Sequence, residues 1–490
     1  MTTDLLVVNP SAKMDMYKNL SSFSALEPPL FAALLASYVR KDGYSVKILD
    51  AEVEDLPPNE TAARIIECSP RLTAIVVMGI NPSASSTPKM PATRRIVHEV
   101  KEKDPSAKII LGGIHPAALP EKTLKETEAD FIYQGEGYRT ITELLNELER
   151  GSEDNFKTRG LWYKNSNNKI TANAPAPLVE NLDSLPLAAW DLLPMEKYRA
   201  HNWHCFEDLD HRSPYGVIYT SLGCPFNCSY CNIKTLYNGK PGIRFRSPEK
   251  VLEEIDLLVE KYKIKNIKFF DELFTLKQTH VTDICDRITK NDYDLNIWAY
   301  ARVDTINESI LERMKKAGIK WLAYGFESAN VNVRKGVSKN FEQSQFERAI
   351  DLTRKKGVYI IGNFIFGLPD DNKDTMRETL ELAKKYNFEY VNFYTAMAYP
   401  GSELYNESLK KGIKLSDNWL EYSQYGYETV PLPTKYLTSK EVLEFRDKAF
   451  KEYFSNPKYI DMIREKFGEK VVEHINTMLT YNIRRKILEG

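Results

Sequence analysis

The sequence predicts an α/β protein built from three consecutive parts. The first part is a doubly wound parallel sheet, because buried strands alternate with amphipathic helices over about the first 150 residues. The second part is a partial β/α barrel, because a further alternation begins at Gly216 and continues to about Tyr405. After that point the strand pattern is lost, so the third part is mainly helical. The expected boundaries are 1–150 for the sheet domain, 151–210 for a linker, 211–405 for the barrel and 406–490 for the C-terminal region.

The first domain is expected to bind a ligand along one edge of its sheet. Its predicted strands are Leu5–Val8, Val46–Leu49, Ala74–Met78, Lys108–Leu111 and Phe131–Tyr133, and its predicted helices are Pro29–Arg40, Ala92–Lys103 and Tyr138–Leu148. Ligands of parallel sheets sit beyond the carboxyl ends of the strands. Small or turn-forming residues follow four of these strands, although each set is also compatible with an ordinary loop. They are Asn9 and Ser11, Gly79 and Asn81, Gly112, Gly113 and His115, and Gln134, Gly135 and Glu136.

The barrel is predicted to contain six strands with helices between them. These strands are Val217–Ser221, Asn266–Phe270, Ile297–Ala299, Trp321–Gly325, Val358–Phe364 and Tyr390–Thr395. Chemistry in β/α barrels lies at the carboxyl ends of the strands. The C-terminal region shows helical patterns around 439–454 and 457–487, and we expect it to shape a substrate cavity.

Composition excludes several classes of protein. The chain has 67 Lys and Arg against 68 Asp and Glu, a net charge of -1, so it lacks the basic domain typical of nucleic-acid binding. No apolar stretch approaches the roughly 18 residues that a membrane-spanning helix needs. The first residues, MTTDLLVVNP, show no secretory pattern. These features predict a cytoplasmic protein.

Three of the six cysteines form a cluster. Cys224, Cys228 and Cys231 have the spacing C-x3-C-x2-C directly after the first predicted barrel strand. In a reducing compartment, clustered thiols indicate a metal or catalysis rather than disulfides. Three thiolates in one loop can hold three irons of a [4Fe–4S] cluster and leave the fourth iron open. A zinc site is the alternative, and its fourth ligand would come from one of four nearby residues: His201, His204, Cys205 or His211.

This cysteine loop, after the first strand of a β/α barrel, resembles the radical S-adenosylmethionine (SAM) superfamily over about residues 216–405. The resemblance implies a partial, TIM-like (β/α)6 barrel in which Cys224, Cys228 and Cys231 are the catalytic and metal-binding residues. It implies that SAM chelates the open iron of the [4Fe–4S] cluster. Electron transfer then cleaves SAM and yields the 5′-deoxyadenosyl radical.

Later segments follow the order of the family's elements and are expected to contact SAM. Asp271 and Glu272 end the second strand, where carboxylates suit the SAM ammonium, although a helix N-cap is the alternative there. Arg302 is placed to pair with a carboxylate, and Glu327 to accept from ribose hydroxyls. The resemblance adds Tyr230 at the adenine-packing position, and Gly362, Asn363 and Gly367 in the stretch that meets adenine.

The first domain resembles the Rossmann-like cobalamin (B12)-binding domain of a radical SAM subgroup. The segment from Leu111 to Pro120 is close to the GG-x-HP segment of that subgroup, and Gln134 to Gly137 matches its next turn. The sheet-edge residues named above are therefore the expected cobalamin contacts. The D-x-H-x-x-G motif is absent after Asn9, so the resemblance implies base-off cobalamin. We interpret His115 as a structural loop histidine rather than an axial ligand.

The predicted function is that of a cobalamin-dependent radical SAM enzyme. The resemblance implies methyl transfer from methylcobalamin to an unactivated carbon of a small-molecule, lipid or natural-product substrate, with flavodoxin or ferredoxin as electron donor. The cofactors would carry the bond chemistry, and the protein would position them. A radical SAM cyclase or oxidoreductase, similar to the anaerobic ring-forming enzymes of tetrapyrrole metabolism, is the first alternative. A non-catalytic cobalamin or cluster sensor is the second.

Overall fold

The computed structural model describes residues 3–16 and 18–489. It contains two parallel sheets followed by a helical region, as the sequence predicts. One continuous cluster of buried apolar side chains runs from the first sheet, for example Val7, into the barrel, for example Ile218. The two sheet-containing parts are therefore packed against each other through a shared core.

The first sheet has seven strands. They are β1 (Leu5–Asn9), β2 (Val46–Asp50), β3 (Leu72–Val77), β4 (Ile109–Gly113), β5 (Phe131–Tyr133), β6 (Leu161–Lys164) and β7 (Ile170–Ala172). Their order is β2-β1-β3-β4-β5-β6-β7, with β1 to β5 parallel and β6 and β7 antiparallel at the edge. The last two strands lie inside the stretch predicted as a linker. Their side chains are partly exposed, so they lack the continuous apolar run by which β5 was recognised. The pairing of β6 with β5, and of β7 with β6, stabilises them.

Helices cover both faces of this sheet. They are α1 (Lys13–Met16), α2 (Leu30–Lys41), α3 (Pro58–Cys68), α4 (Pro82–Ser85), α5 (Met90–Lys103), α6 (Ile114–Ala118), α7 (Pro120–Glu126) and α8 (Tyr138–Glu149). Along β1, Leu5 and Val7 join the core beneath α2 and α8, whereas Leu6 and Val8 join a separate core beneath α3 and α5. Alternate side chains of a strand point to opposite faces, so this division is that of a doubly wound sheet.

The barrel follows as an open sheet of six parallel strands. The chain also forms a separate two-stranded hairpin between the first and second of these strands. In chain order the strands of this part are β8 (Tyr215–Ile218), β9 (Ser221–Cys224), β10 (Gly242–Phe245), β11 (Asn266–Phe269), β12 (Asn296–Ala301), β13 (Ile319–Glu327), β14 (Tyr359–Phe366) and β15 (Tyr390–Thr395). The spatial order is β15-β14-β13-β12-β11-β8, and the hairpin pairs β9 with β10. The outer helices are α9 (Pro248–Tyr262), α10 (Gln278–Lys290), α11 (Glu308–Lys316), α12 (Val331–Gly336), α13 (Gln343–Lys355) and α14 (Lys373–Tyr386).

The first barrel strand is shorter than predicted, and the hairpin explains why. The predicted strand Val217–Ser221 divides, because β8 ends at Ile218 and β9 begins at Ser221. Gly223 has a φ of 98°, and a Cβ there would lie 2.4 Å from the Gly242 carbonyl oxygen. A glycine is therefore required for the hairpin to close. The cysteine motif begins at the end of β9 rather than directly after the first barrel strand.

The C-terminal region is helical. It contains α15 (Glu403–Lys410), α16 (Ser439–Phe454), α17 (Pro457–Phe467), α18 (Glu469–Thr480) and α19 (Lys486–Glu489). The helical pattern predicted around 457–487 is interrupted at Gly468, whose φ of 84° ends α17. Within the described ranges, we find no helix with both the length and the apolar character needed to cross a membrane.

Candidate active site

The three clustered cysteines line one cavity at the carboxyl ends of the barrel strands. Cys224 ends β9, and Cys228 and Cys231 lie in the loop after it. All three thiols are free and border a cavity of about 270 Å³. Burial raises the pKa of Cys224 and raises that of Cys231 to about 12, so a bound metal would be needed to stabilise the thiolates at neutral pH. Three thiols around one cavity suit three irons of a [4Fe–4S] cluster.

Three of the four residues considered as the fourth zinc ligand lie near the amino-terminal ends of the barrel strands, opposite the cysteines. His204 bonds the carbonyl oxygen of Asn296 through Nε2 at 2.9 Å, and Asn296 is the first residue of β12. Cys205 donates to Asn266, the first residue of β11. His211 is exposed and pairs with Asp208. In residues 3–16 and 18–489, no three His, Cys, Asp or Glu side chains are grouped closely enough to hold a single metal ion, as a zinc site requires, whereas in a cluster each thiolate binds a different iron.

His201, the remaining zinc candidate, lines a different cavity from the cysteines. Its Nδ1 accepts a hydrogen bond of 3.2 Å from the backbone N–H of Ala25. The proposed fourth zinc ligands are thus engaged elsewhere, and the zinc alternative loses its structural basis.

The adjacent carboxylates after β11 have different surroundings. Asp271 accepts hydrogen bonds from the backbone N–H of Thr220 at 2.7 Å and from its hydroxyl at 2.6 Å, and it does not line the cysteine cavity. Glu272 does line it, and accepts from the backbone N–H of Gly223 and the hydroxyl of Tyr237, both at 3.0 Å. Burial raises the pKa of Glu272 to about 7. Of the two, only Glu272 is placed to meet an ammonium in this cavity.

Glu327 is held at the cavity wall by two side chains. It has a φ of 63° at an irregularity in the pairing of β13 with β14. The hydroxyl of Tyr230 donates to its Oε1 at 2.9 Å, and Lys339 Nζ lies 2.9 Å from the same oxygen. Both predicted SAM contacts, Tyr230 and Glu327, are therefore joined directly. Their common partner Lys339 was not predicted, since nothing marks it in the loop after α12.

Arg302 also lies on the cavity wall, but in the structure it pairs with a neighbour. Its guanidinium donates to both carboxylate oxygens of Asp304, at 3.0 and 2.9 Å. Its Cζ lies 3.8 Å from the ring centroid of Phe226, inside the cysteine loop. This arrangement fixes the guanidinium next to the cysteines, and a substrate carboxylate would have to share it with Asp304.

The predicted adenine stretch contributes one cavity residue. Asn363 lines the cysteine cavity and donates to the carbonyl oxygen of Tyr324 at 3.2 Å. The two glycines face away from it. A Cβ at Gly362 would lie 2.8 Å from the ring of Phe364, and one at Gly367 would lie 2.4 Å from the side chain of Val442. The structure thus explains both glycines by packing within the barrel wall and against α16.

Asn9 takes part in a polar cluster at the edge of the first sheet. It donates to Asp50 at 2.7 Å and accepts from Lys89 at 3.1 Å. Lys89 also donates to Glu52 at 2.5 Å. Burial raises the pKa of Asp50 to about 6. Asn9 and Gly79 line a small cavity of about 30 Å³ between this cluster and the barrel.

The loop after β3 connects the first sheet to the cysteines. The backbone N–H of Gly79 donates to Ser86 at 3.0 Å, and Asn81 caps α4. Asn81, with Ser83, lines the cysteine cavity. Ser11 lies just after β1 and is half-buried. A ligand held above this edge would therefore reach the same cavity as the cysteines.

The paired glycines at the end of β4 accommodate the protein's own atoms. A Cβ at Gly112 would lie 1.8 Å from the ring of Tyr133, and one at Gly113 would lie 2.3 Å from the carbonyl oxygen of Val77. The next residues lead into α6, where His115 is buried with its ring 4.5 Å from that of Trp419. The two glycines thus have packing roles that the sequence did not reveal.

His115 has one unused ring nitrogen. Its Nδ1 lies 3.2 Å from the hydroxyl of Thr87, while its buried Nε2 has no hydrogen-bond partner in the described parts of the chain. Burial lowers the pKa of His115 to about 3, so the ring is neutral. A neutral, unpartnered nitrogen near the sheet edge is compatible with a ligand there, as are the polar groups of Asn9 and Asn81.

The predicted turn after β5 contacts the barrel. Glu136 accepts from Arg244 of β10 at 2.8 Å and from the backbone N–H of Val179 at 2.9 Å. Gln134 donates to the carbonyl oxygen of Ala117 at 3.1 Å. A Cβ at Gly135 would lie 3.2 Å from the side-chain oxygen of Asn238. Through these contacts the turn connects the first domain to the β9–β10 hairpin, and the loop between these two strands contains two of the three clustered cysteines.

A second cavity, of about 560 Å³, adjoins the cysteine cavity inside the barrel. The two share several wall residues, among them Asn81, Lys268, Tyr300 and Asn363. Lys268 was not predicted. It is buried on β11, where it donates to Glu27 at 2.9 Å and to the carbonyl oxygen of Ile80 at 2.7 Å. The signal in the sequence that could have identified Lys268 is a charged residue inside a predicted strand that is mostly apolar.

The fold and this site define a protein with a B12-binding type of sheet domain and a radical SAM type of barrel. The family model of the radical SAM superfamily matches residues 218–383, and that of the B12 binding domain matches residues 19–145. The chain belongs to the radical SAM superfamily, in the subgroup with an N-terminal B12-binding domain. The predicted superfamily, subgroup, fold class and assignment as an enzyme are confirmed.

Relatives with assigned names fall into two reaction types. The chain is 33% identical over 434 residues to "Uncharacterized methyltransferase PH0819" of Pyrococcus horikoshii, covering 88% of this chain and 89% of the relative. It is 26% identical over 439 residues to the anaerobic magnesium-protoporphyrin IX monomethyl ester cyclase of Rubrivivax gelatinosus, covering 88% and 75%.

A solved structure shares the whole fold. The radical SAM methyltransferase TsrM from Kitasatospora setae, with cobalamin and a [4Fe–4S] cluster bound, superposes with a TM-score of 0.69 at 17% identity. The match covers 94% of this chain and 90% of that one. At this identity the likeness establishes the fold.

Proposed function

We propose that this protein is a cobalamin-dependent radical SAM enzyme that transfers a methyl group to an unactivated carbon. One observation carries the proposal. The cavity lined by Cys224, Cys228 and Cys231 is also lined by Asn81 and Ser83 of the B12-binding domain. A cluster, SAM and a ligand on the sheet edge can therefore meet around one space. The match to a named methyltransferase over most of both chains supports the same reaction type.

In this proposal the cysteines hold the [4Fe–4S] cluster, and the cavity above them holds SAM. Glu272 accepts from the SAM ammonium, Arg302 pairs with its carboxylate, and Glu327 accepts from its ribose hydroxyls. When bound, the cluster supplies the electron that cleaves SAM, and base-off cobalamin supplies the methyl group.

The chain's own contribution is position and exclusion of water. Tyr230 and Lys339 fix the carboxylate of Glu327 from two directions. Tyr237 and the backbone of Gly223 do the same for Glu272. Because these partners are themselves buried, the cavity presents preorganised polar groups with little solvent to compete for them.

Cobalamin is proposed to lie at the carboxyl edge of the first sheet, next to the loop after β3. Asn9 and Asn81 supply polar atoms there, and the buried His115 lies behind this edge with one ring nitrogen that has no partner in the described residues. The remaining predicted contacts, Ser11, Gly79, Gly112, Gly113 and the turn Gln134–Glu136, stay predictions, with the packing roles described above.

The test is anaerobic reconstitution with iron, sulfide and cobalamin, followed by turnover with methyl-labelled SAM in extract of the host. We expect 5′-deoxyadenosine and S-adenosylhomocysteine in comparable amounts, together with a labelled metabolite. Formation of 5′-deoxyadenosine alone during steady turnover would rule out methyl transfer.

That second outcome would favour the alternative, a cyclase or oxidoreductase of the same architecture. The specific observation in its favour is the match to the ring-forming enzyme of Rubrivivax gelatinosus over 88% of this chain. The cytoplasmic location and the flavodoxin or ferredoxin electron donor stay predictions. Reduction of the reconstituted cluster by each purified donor would test the latter.

A further inference from the structure

The second cavity has the size of a small-molecule site. Its volume of about 560 Å³ lies within the roughly 300–1,000 Å³ typical of ligand pockets. It follows β15 from Tyr390 to Tyr394, a length of about 13 Å at the usual rise per strand residue. From there it continues to α16 and to the segment around α19. The site is therefore elongated, with one end inside the barrel and the other at the surface.

The inner end of this cavity is next to the proposed SAM site. Ala323 and Asn363 border both cavities, and so does Tyr300 of β12. The wall beyond them is dominated by apolar and aromatic side chains. They include Trp298, Ile361, Tyr390, Phe450, Met478 and Leu479. Such a wall favours a ligand with an apolar body, because burying that body in the cavity removes its apolar surface from water.

The outer end carries an excess of positive charge. Six cationic and three anionic side chains line the cavity, and all of them except Lys268 belong to α16 or to the segment around α19. Arg446 and Arg485 both pair with Asp447, and Lys268 deep inside pairs with Glu27. At the rim, the two carboxylates are each matched by one cation, Glu444 with Lys448 and Glu489 with Arg484.

Lys451 is the third cationic side chain at the rim, and it is not paired in this way. It is exposed at the cavity mouth, and its Nζ donates to the amide oxygen of Asn482 at 3.2 Å. Over the residues that the structure describes, no carboxylate lies within ion-pair distance of it. An anionic group of a ligand can therefore meet this ammonium without displacing a protein carboxylate.

We propose that the second cavity is the substrate site and that its substrate is amphipathic. The apolar body lies inside the barrel, and the anionic end lies at the mouth beside Lys451. This orientation presents an unactivated carbon of the apolar body to the SAM cavity at Tyr300 and Asn363. The inference deepens the proposed function and rests on it, since it names the class of molecule that receives the methyl group.

The first test measures binding to the reconstituted holoenzyme, without turnover. The probes are cis-parinaric acid, a fluorescent long-chain fatty acid, and its uncharged methyl ester. We expect the acid to bind with micromolar affinity and at least threefold more tightly than the ester. Equal binding of both probes, or binding of neither, would overturn the proposal. Displacement of the acid by an equal concentration of inorganic diphosphate would also overturn it, by identifying the mouth as a site for free anions.

Two variants localise the binding. Ile361→Trp fills the middle of the cavity and should weaken binding of the acid at least tenfold. Leu409→Trp adds the same indole at an exposed position outside the cavity and should leave binding unchanged. Lys451→Gln alters only the exposed rim, so it keeps the test decisive even where Ile361→Trp does not fold. It should weaken the acid about threefold and leave the ester unchanged, whereas Lys458→Gln on α17 should change neither. Unchanged acid binding in Lys451→Gln would contradict the proposal.

The proposal and the function on which it rests can fail separately. Production of 5′-deoxyadenosine by the reconstituted enzyme tests the cluster and SAM site and does not depend on the fatty acid. Normal cleavage of SAM without binding of the acid overturns the substrate class alone. Binding of the acid without any cleavage of SAM instead overturns the proposed chemistry.

Discussion

The hydroxyl oxygen of Ser83, in the B12-binding domain, lies 3.8 Å from the Sγ of Cys231, in the barrel. The two residues are 148 positions apart, so this contact depends on how the two domains are packed. It places the loop after β3 directly against the proposed cluster ligands. Asn81, in the same loop, lines both the cysteine cavity and the second cavity. A ligand of the first domain and a substrate in the barrel are thereby brought to one point.

A large side chain at this contact should disturb both halves of the proposed reaction. Ser83→Phe would place an aromatic ring against Cys231 and into the cavity proposed to hold SAM. We expect production of 5′-deoxyadenosine and of methylated product each to fall at least tenfold. Both products are measured in the same reaction by mass spectrometry. Ser106→Phe, at an exposed loop position, is the control and should leave both yields unchanged. Wild-type yields of both products in Ser83→Phe would contradict the expectation.

Loss of one clustered thiol should abolish the cluster but not the fold. In Cys228→Ala we expect loss of the charge-transfer absorbance of the reconstituted protein and no detectable 5′-deoxyadenosine, because two thiolates cannot hold the three irons. The spectral change on adding cobalamin should persist, since that domain is untouched. Cys68→Ala, at a thiol on α3, serves as the control. Retained cleavage of SAM in the first variant would show that the cysteines are not the cluster ligands.

The neighbouring carboxylates Asp271 and Glu272 should respond differently to neutralisation. Glu272→Gln should weaken SAM binding about tenfold, because Glu272 faces the cavity. Asp271→Asn should instead lower the free energy of unfolding by about 1–3 kcal/mol, because buried donors of Thr220 lose a charged acceptor. Calorimetric titration with SAM and denaturant unfolding would compare them. Weaker SAM binding in the Asn variant than in the Gln variant would reverse the assignment.

Buried His204 should make the protein lose stability in mild acid. Burial lowers its pKa from 6.5 to about 3, so the ring stays neutral in the fold, whereas the unfolded chain gains a proton below pH 6.5. Its contribution to stability is complete above that pH and is lost as the pH falls, amounting to about 2 kcal/mol at pH 5.

The difference between wild type and His204→Gln isolates this contribution. Urea unfolding at pH 7.5 and pH 5 should show a loss on acidification that is about 2 kcal/mol smaller in the variant. His211→Gln, at a side chain that is 77% exposed, should show the wild-type loss. An identical loss in all three proteins would mean that His204 is protonated within the fold.

Local patterns in the sequence determined the class of fold and the position of the cysteine loop. Period-two and helical patterns depend only on residues close in the chain, so the alternation of strands and helices was predictable. The spacing of Cys224, Cys228 and Cys231 likewise constrains three thiols to one loop, whatever surrounds it. β6 and β7 are partly exposed and lack the continuous apolar run of β5, so only the pairing of β6 with β5 and of β7 with β6 makes them part of the sheet.

The tertiary structure decided which side chains share the site. Asp271 and Glu272 are adjacent in sequence, yet Glu272 lines the cavity and Asp271 does not. Their hydrogen bonds to Gly223 and Thr220, which are distant in the chain, decide this difference. Lys339 reaches Glu327 from a loop with no recognisable motif. Gly112, an expected cobalamin contact, also leaves room for the ring of Tyr133, which the sequence did not indicate. Each outcome depends on contacts between residues distant in the chain, and a side chain's direction and partners are fixed only when those contacts form.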